Sequence, residues 1–119
     1  MPMRRYSALL LFQYRTIVNR RSSKRRLCEE RIIHFRAETA RRALSMAKRR
    51  GRVSQHSYLD EEGHKVYFEF IGVMELRHMG SECESDEVWY ELVHRVLPKE
   101  RKSRFIPSER ELEAIRNEY

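Results

Sequence analysis

Residues 37 to 51 read AETARRALSMAKRRG, and they predict one helix in a chain otherwise rich in strand-forming residues. Apolar residues recur in this stretch at helical spacing, with charged residues between them: Ala37, Ala40, Ala43, Leu44 and Ala47. The pattern predicts a helix from about Glu38 to Arg50, ended by Gly51 in a left-handed conformation. Because its apolar stripe is mostly alanine, we expect the helix to lie close against a sheet.

Two segments before the helix have the composition of strands. Residues 6 to 18 carry apolar side chains on both faces, which favours a central strand over an edge strand. Residues 27 to 37 include Ile32, Ile33 and Phe35, which are good strand formers. The polar stretch of residues 19 to 24 is expected to form the loop of a hairpin between them.

A second hairpin and a last strand follow the helix. Residues 54 to 59 and 64 to 79 flank Asp60-Glu61-Glu62-Gly63, which is a turn sequence. In the longer strand Gly72 indicates a bulge, a bend or the close approach of another backbone. One face of that strand is predicted to carry Val66, Phe68, Phe70, Met74 and Leu76. An acidic loop is predicted over residues 80 to 86, and a final strand over residues 87 to 97.

These elements predict an α+β fold over residues 1 to 97. An antiparallel sheet of about five strands, in the order β-β-α-β-β-β, has the Ala-rich helix packed on one face. Residues 98 to 119 are predicted to be a basic linker and a short C-terminal helix. Ser108-x-x-Glu111 is a capping box for that helix. Since so short a helix is marginal in water, it must dock on its own domain, on a second copy or on a partner.

Composition restricts the class of protein. The 119 residues are 40% hydrophobic and 36% charged, with four glycines, which excludes collagen-like and low-complexity chains. The longest apolar run, residues 8 to 12, is strand-sized and far short of a membrane span. We therefore expect a cytoplasmic protein with no membrane contact. Cys28 and Cys83 are expected to be reduced thiols, and neither belongs to a Cys-x-x-Cys pair.

Charge is unevenly distributed along the chain. The formal net charge is +7, but residues 1 to 52 hold 16 Lys and Arg against three Glu. Most of the excess lies in two clusters, which we predict to share one contact surface: Arg20, Arg21, Lys24, Arg25, Arg26, Lys48, Arg49 and Arg50. Such clusters bind polyanions, attract an acidic protein, or simply solvate a surface.

The order of several motifs resembles a known family. These are residues 6 to 12 (YSALLLF), residues 28 to 33 (CEERII) with Arg36-Ala37, the Ala-rich helix, residues 67 to 73 (YFEFIGV) and residues 87 to 90 (EVWY). Together they resemble the bacterial domain-of-unknown-function family 4288 over roughly residues 6 to 97. The resemblance implies a small single domain of bacterial or phage origin with no assigned chemistry. Residues 20 to 26 and the tail after Pro98 depart from the family pattern, and we associate them with this protein's own partner.

No motif in the chain predicts catalysis. The five histidines lack ligand spacing, there is no Gly-rich phosphate loop, and there is no Gly-x-Ser-x-Gly elbow. We therefore expect no catalytic residue, no cofactor and no metal site. Glu69 has two interpretations, an acidic pair with Glu29 for Mg²⁺ or an ion pair with Arg31. The strand aromatics also have two: Phe68, Phe70 and Trp89 as core, or a sheet face that stacks single-stranded bases.

The function predicted from these features is that of a small, basic, non-catalytic binding or adaptor protein. Its partner would be an acidic protein, or further copies of the chain in a homo-oligomer. The alternative is sequence-nonspecific binding of nucleic acid, and a metal-dependent nuclease is more remote.

Overall fold

One antiparallel sheet runs through the molecule, and one long helix lies on it. The structure is a computed structural model that describes residues 3–80 and 88–117, without the side chains of Val88 and Trp89. The strands are β1 (Arg4–Val18), β2 (Arg21–Ser22), β3 (Arg25–Ala37), β4 (His56–Leu59), β5 (Lys65–His78) and β6 (Val88–Val96). The helices are α1 (Ala40–Ser54), α2 (Lys102–Phe105) and α3 (Glu113–Arg116), with a 3-10 turn at Glu109–Glu111.

The sheet confirms the predicted α+β class. Its strand order is β4-β5-β1-β3-β6, and β2 pairs with β1. There are six strands rather than about five because the predicted loop of residues 19 to 24 contains β2. Asn19 and Arg20 have φ of 51° and 64°, and two such residues form a tight hairpin turn. The pairing therefore continues to Val18 opposite Arg21.

Strand β1 is central, as its two apolar faces predicted. Its even-numbered residues from Tyr6 to Tyr14 point to the side of α1, and Leu11 points to the opposite side. The larger core lies between α1 and the sheet, and the alanines of α1 allow the helix to approach closely. A smaller core on the opposite face contains Leu11, Cys28 and Ile71. The Cys28 thiol is fully buried there.

The predicted end of the helix at Gly51 is wrong. Helix α1 begins after Thr39, whose hydroxyl accepts a hydrogen bond from the Arg42 N–H at 3.1 Å, and it continues to Ser54. Gly51 is a buried residue inside the helix. An ideal Cβ at this position would lie 2.5 Å from the ring of Phe70, so the glycine permits contact between α1 and β5 rather than a left-handed cap.

The irregularity predicted at Gly72 is present as two register shifts in the pairing of β5 with β1, on either side of Val73 and Gly72. They change which residues face the helix. Val73 lies in the core under α1, whereas Met74, predicted to share the face of Phe68, packs on the opposite side. A Cβ on Gly72 would lie 2.9 Å from the Ile106 side chain, so the glycine also makes room for the tail.

The tail after β6 covers the second face of the sheet and then returns to the first. Phe105 and Ile106 pack on the small core, and Leu112, Ala114 and Ile115 are buried in the core under α1. The terminal helix therefore docks on its own sheet. The predicted capping box does not form, since the Ser108 side chain makes no cap hydrogen bond and Leu112 separates the 3-10 turn from α3.

No helix among the described residues is long and apolar enough to cross a membrane. Residues 81 to 86 of the predicted acidic loop, with Cys83, lie outside the described residues, as do Glu87 and the side chain of Trp89.

We predict that Gly51→Ala lowers the free energy of unfolding by about 1–3 kcal/mol, because the new methyl group overpacks the contact with Phe70. In a Phe70→Ala background the same change should instead stabilise by about 1 kcal/mol, since alanine is the better helix former. Urea denaturation of the four proteins measures both effects. Equal effects of Gly51→Ala in the two backgrounds would contradict the close approach.

Candidate functional site

The first basic cluster lies at the end of the hairpin that joins β1 to β3. Its exposed members, which we call the hairpin cations, are Arg20, Arg21, Lys24 and Arg25. None of the four forms an ion pair with any described residue. Their charge is therefore not neutralised by the described part of the chain.

Arg26, predicted with them, is a structural residue. It is only 2% exposed, and its guanidinium donates to both carboxylate oxygens of Glu100 at 2.7 and 2.8 Å. It also donates to Gln13 Oε1 at 2.9 Å and to the backbone carbonyl of Ser23 at 2.9 Å. This pairing lowers the pKa of Glu100. Arg26 therefore ties the tail to the sheet and is not available to a partner.

The second cluster is on the outer face of α1, away from the hairpin. The end of α1 lies beside Phe12, because Arg31 donates to Ser54 Oγ at 3.3 Å and lies 4.7 Å over the Phe12 ring. From that level β1 continues six residues to the hairpin, which is roughly 20 Å at 3.3 Å per residue. The Lys48 ammonium is 2.6 Å from Glu109, whereas Arg49 and Arg50 are exposed. The structure thus separates the two clusters rather than joining them in one surface.

The sheet extends beyond α1 and leaves part of its helix-side face uncovered by any described element. Helix α1 lies over β5, β1 and β3, and its backbone does not approach that of β6. The uncovered part, which we call the open face, consists of Tyr14, Thr16, Leu27, Tyr58, Tyr90, Leu92, His94 and Val96. The hairpin cations lie at its end, where β1 and β3 meet.

The open face exposes large side chains that a core would bury. Tyr90 is 60% exposed, Leu92 50% and Tyr58 42%. A groove of about 480 Å³ lies between Tyr14 and Tyr58, and Arg25 is part of its wall. Asp60 also borders the groove, but its carboxylate accepts hydrogen bonds from backbone N–H groups of its own turn. The groove therefore offers aromatic rings beside a cation.

The glutamates considered as a metal pair each bind an arginine. Glu69 Oε1 lies 2.7 Å from Arg15 Nε on the face opposite α1, and Glu30 is 2.6 Å from Arg95 on that same face. Glu29 lies on the α1 side, 2.6 Å from Arg31. Within residues 3–80 and 88–117, no three carboxylate, His or Cys side chains form a group able to hold a metal ion. The ion-pair interpretation is therefore correct in kind, although the predicted Glu69–Arg31 pairing is wrong.

Glu69 is the most strongly perturbed of these carboxylates. Burial opposes its ionisation, but hydrogen bonds from Arg15, Lys99 and Gln13 outweigh burial and lower the pKa of Glu69 from 4.5 to about 2. The charged form is therefore the one that the fold stabilises.

The sequence analysis missed Tyr14 and Tyr58 as candidate binding residues. Tyr14 belongs to a strand whose other even-numbered residues are core, and only the length of α1 leaves it uncovered. Tyr58 lies on a four-residue edge strand. A helix of 15 residues, about 23 Å long, cannot cover a 15-residue strand of about 50 Å. This difference in length is the feature of the sequence that could have predicted an uncovered part of β1.

We expect Glu100→Gln to lower the free energy of unfolding by about 1.5–3 kcal/mol, because it leaves the buried Arg26 guanidinium without its carboxylate. The matched control is Glu109→Gln, which removes a carboxylate paired with the exposed Lys48 and Arg41 and should cost at most about 1 kcal/mol. Chemical denaturation of both variants measures the difference. Similar losses would contradict the anchoring role of Arg26.

Glu69 also predicts a dependence of stability on pH. Because its pKa is lower in the folded state, its stabilisation is full above about pH 4.5 and is lost as the pH falls toward about 2. We expect Glu69→Gln to flatten the stability profile in this interval, relative to Glu61→Gln in the exposed turn. Denaturation midpoints across the interval measure this, and two superimposable profiles would be the contrary result.

Comparison with known proteins identifies the family of this chain. The family model described as Domain of unknown function (DUF4288) matches residues 5–89, which is most of the chain and ends within β6. Neither a curated protein nor a solved structure matches the chain. The matched residues include α1, strands β2 to β5 and all of β1 except Arg4, and so the chain belongs to the DUF4288 family of domains of unknown function.

Proposed function

We propose that this protein binds single-stranded nucleic acid on the open face, without catalysis and without sequence preference. The observation that carries the proposal is the position of four cations, without ion pairs to residues 3–80 or 88–117, at the end of a sheet face that exposes Tyr58 and Tyr90. Proteins that bind single strands nonspecifically combine a positively charged path for the backbone with aromatic rings for the bases. Both parts are present here on adjoining surfaces.

The hairpin cations supply the electrostatic part. Each contact between a phosphate and Lys or Arg releases condensed counterions, so the affinity depends on the number of free cations. Arg25 borders the groove of the open face, and Arg21 lies on the neighbouring strand β2. Cations already paired within the fold, such as Lys48 and Arg26, contribute less because an acidic side chain must first be displaced.

The tyrosines supply the stacking part. Tyr58 lies on β4 at one edge of the sheet and Tyr90 on β6 at the other, with Tyr14 on the central strand. Strands are about 4.8 Å apart, so Tyr58 and Tyr90 are separated by roughly 20 Å across the sheet. The registers place Tyr58 level with Thr16. They place Tyr90 level with Leu10, which adds roughly 20 Å along the strands. A stacking ring accepts any base because every base has a π face, which suits binding without sequence preference.

An acidic protein is the partner predicted first from the sequence, with nucleic acid as the alternative. Both partners use the same cations, but only nucleic acid makes specific use of separated, exposed rings beside them. The acidic protein is therefore the competing outcome of the test.

We expect a labelled single-stranded oligonucleotide to bind the protein with an affinity that falls steeply between 50 and 200 mM salt. The double variant Arg21→Gln/Arg25→Gln should bind more weakly and reduce the salt slope by about 1.4, at roughly 0.7 per lost contact. The control, Arg49→Gln/Arg50→Gln, removes two exposed arginines of α1 and should keep the slope. Fluorescence anisotropy measures all three proteins.

The stacking part has its own pair of variants. Tyr58→Ala should weaken binding by about 1–3 kcal/mol with little change in slope, whereas Tyr67→Ala, on the opposite face, should not weaken it. Absence of binding at low salt, or equal losses in the hairpin and α1 variants, would refute the proposal. Binding of polyglutamate but not of the oligonucleotide would assign the cations to an acidic protein.

A further inference from the structure

The two outer strands of the sheet, β4 and β6, differ in their surroundings. On one side, β4 is short, and beyond it a cavity of about 980 Å³ lies between the edge of β5, α1 and the tail. Gln55 Oε1 accepts the backbone N–H of Phe70 at the point where β4 no longer pairs with β5. On the other side, β6 is the last strand, and none of the described elements pairs with its outer edge.

Strand β6 has little of the usual protection of an edge, since Glu91 and Arg95 are its only acidic or basic residues besides His94. Natural edges carry lysine, proline or a bulge, or are very short, because their free N–H and C=O groups otherwise recruit another strand. The nine residues of β6 read VWYELVHRV, with no lysine or proline, and they pair with β3 without a register shift. Three large apolar side chains along it are exposed: Tyr90, Leu92 and Val96. The strand therefore has the properties of an interface.

The charges of β6 indicate which strand would complete it. Glu91 is exposed and makes no ion pair with any described residue. Its neighbour on β3 is Glu30, a like charge whose carboxylate is bound by Arg95. An arginine opposite Glu91 on a new strand would relieve this repulsion. Strand β6 itself carries Arg95 four residues further along, which binds Glu30 through Nη2 and would be shared between Glu30 and the partner subunit's Glu91.

We infer that β6 pairs in antiparallel register with β6 of a second copy of this chain, about a two-fold axis at Val93. This register places Glu91 opposite Arg95 of the partner subunit, and the symmetry forms the pair twice. Tyr90 then faces Val96 of the partner subunit, which is a favourable aromatic and β-branched pair. A register centred one residue earlier would place Glu91 opposite Val93 of the partner subunit and would form no ion pair. The pair of Glu91 with Arg95 of the partner subunit therefore favours the register with its axis at Val93.

The dimer joins two sheets into one. A two-fold axis perpendicular to the sheet keeps both open faces on the same side and directs the two groups of hairpin cations to opposite ends. This inference does not rest on the proposed function, because it follows from the edge of β6 and concerns the protein alone. The dimer also contains two open faces and two sets of hairpin cations.

The test is the mass of the protein in solution without nucleic acid, measured by light scattering and sedimentation over a range of concentrations. We expect a concentration-dependent dimer. Glu91→Arg should raise its dissociation constant by roughly tenfold or more, because two attractive cross-strand pairs become repulsive. Glu61→Arg, the same charge change in the exposed β4–β5 turn, should leave the constant unchanged. A monomer at all concentrations, or equal effects of the two variants, would overturn the inference.

A crosslink tests the register itself. Val93→Cys in a Cys28→Ala/Cys83→Ser background places two thiols across the axis, where opposite Cβ atoms are about 4.5–5.5 Å apart. Cys28 is removed because it lies directly opposite Val93 on β3. Mild oxidation should give a covalent dimer, whereas Val53→Cys, on α1, should give none. A crosslink that forms equally from both positions would overturn the register. Because neither measurement includes an oligonucleotide, their failure and the failure of the proposed function are distinguishable.

Discussion

The whole structure depends on covering both faces of β1. Its alternate side chains are apolar in both directions, so each face needs its own layer. Helix α1 supplies one layer, and its alanines and Gly51 allow it to approach closely. The tail supplies the other layer, and Gly72 makes room for it. Arg26 holds the start of the tail on the sheet through its ion pair with Glu100. Burying a guanidinium is unfavourable unless all of its donors find acceptors, and here the acceptors are present.

The open face exists because α1 is shorter than the strands on which it packs. Helix α1 ends beside Phe12, and the hairpin continues beyond it. What is left uncovered is the part of the sheet that carries separated tyrosines, with cations at its tip. Because the same helix does not reach β6, the uncovered face extends to the unprotected edge. The limited reach of α1 thus accounts for the open face, whereas the free edge of β6 follows from its terminal place in the strand order.

The sequence predicts the class and the central position of β1, because periodicity and apolar residues on both faces are local signals. It does not predict the role of Gly51, since a glycine that ends a helix and one that admits a neighbouring ring look alike along the chain. It also groups Arg26 with the surface arginines, because the acceptors Gln13 and Glu100 are distant in sequence. The separation of the two basic clusters depends on the relative lengths of α1 and β1 and on their packing.

The burial of Cys28 under the tail has a chemical consequence. Burial raises the pKa of its thiol to about 11, and the thiolate is the form that attacks electrophiles. In the closed protein this sulfur is therefore inert toward oxidants and alkylating reagents. A reagent reaches the sulfur only when Phe105 and Ile106 separate from the sheet. The rate of Cys28 modification therefore reports how often this local opening occurs.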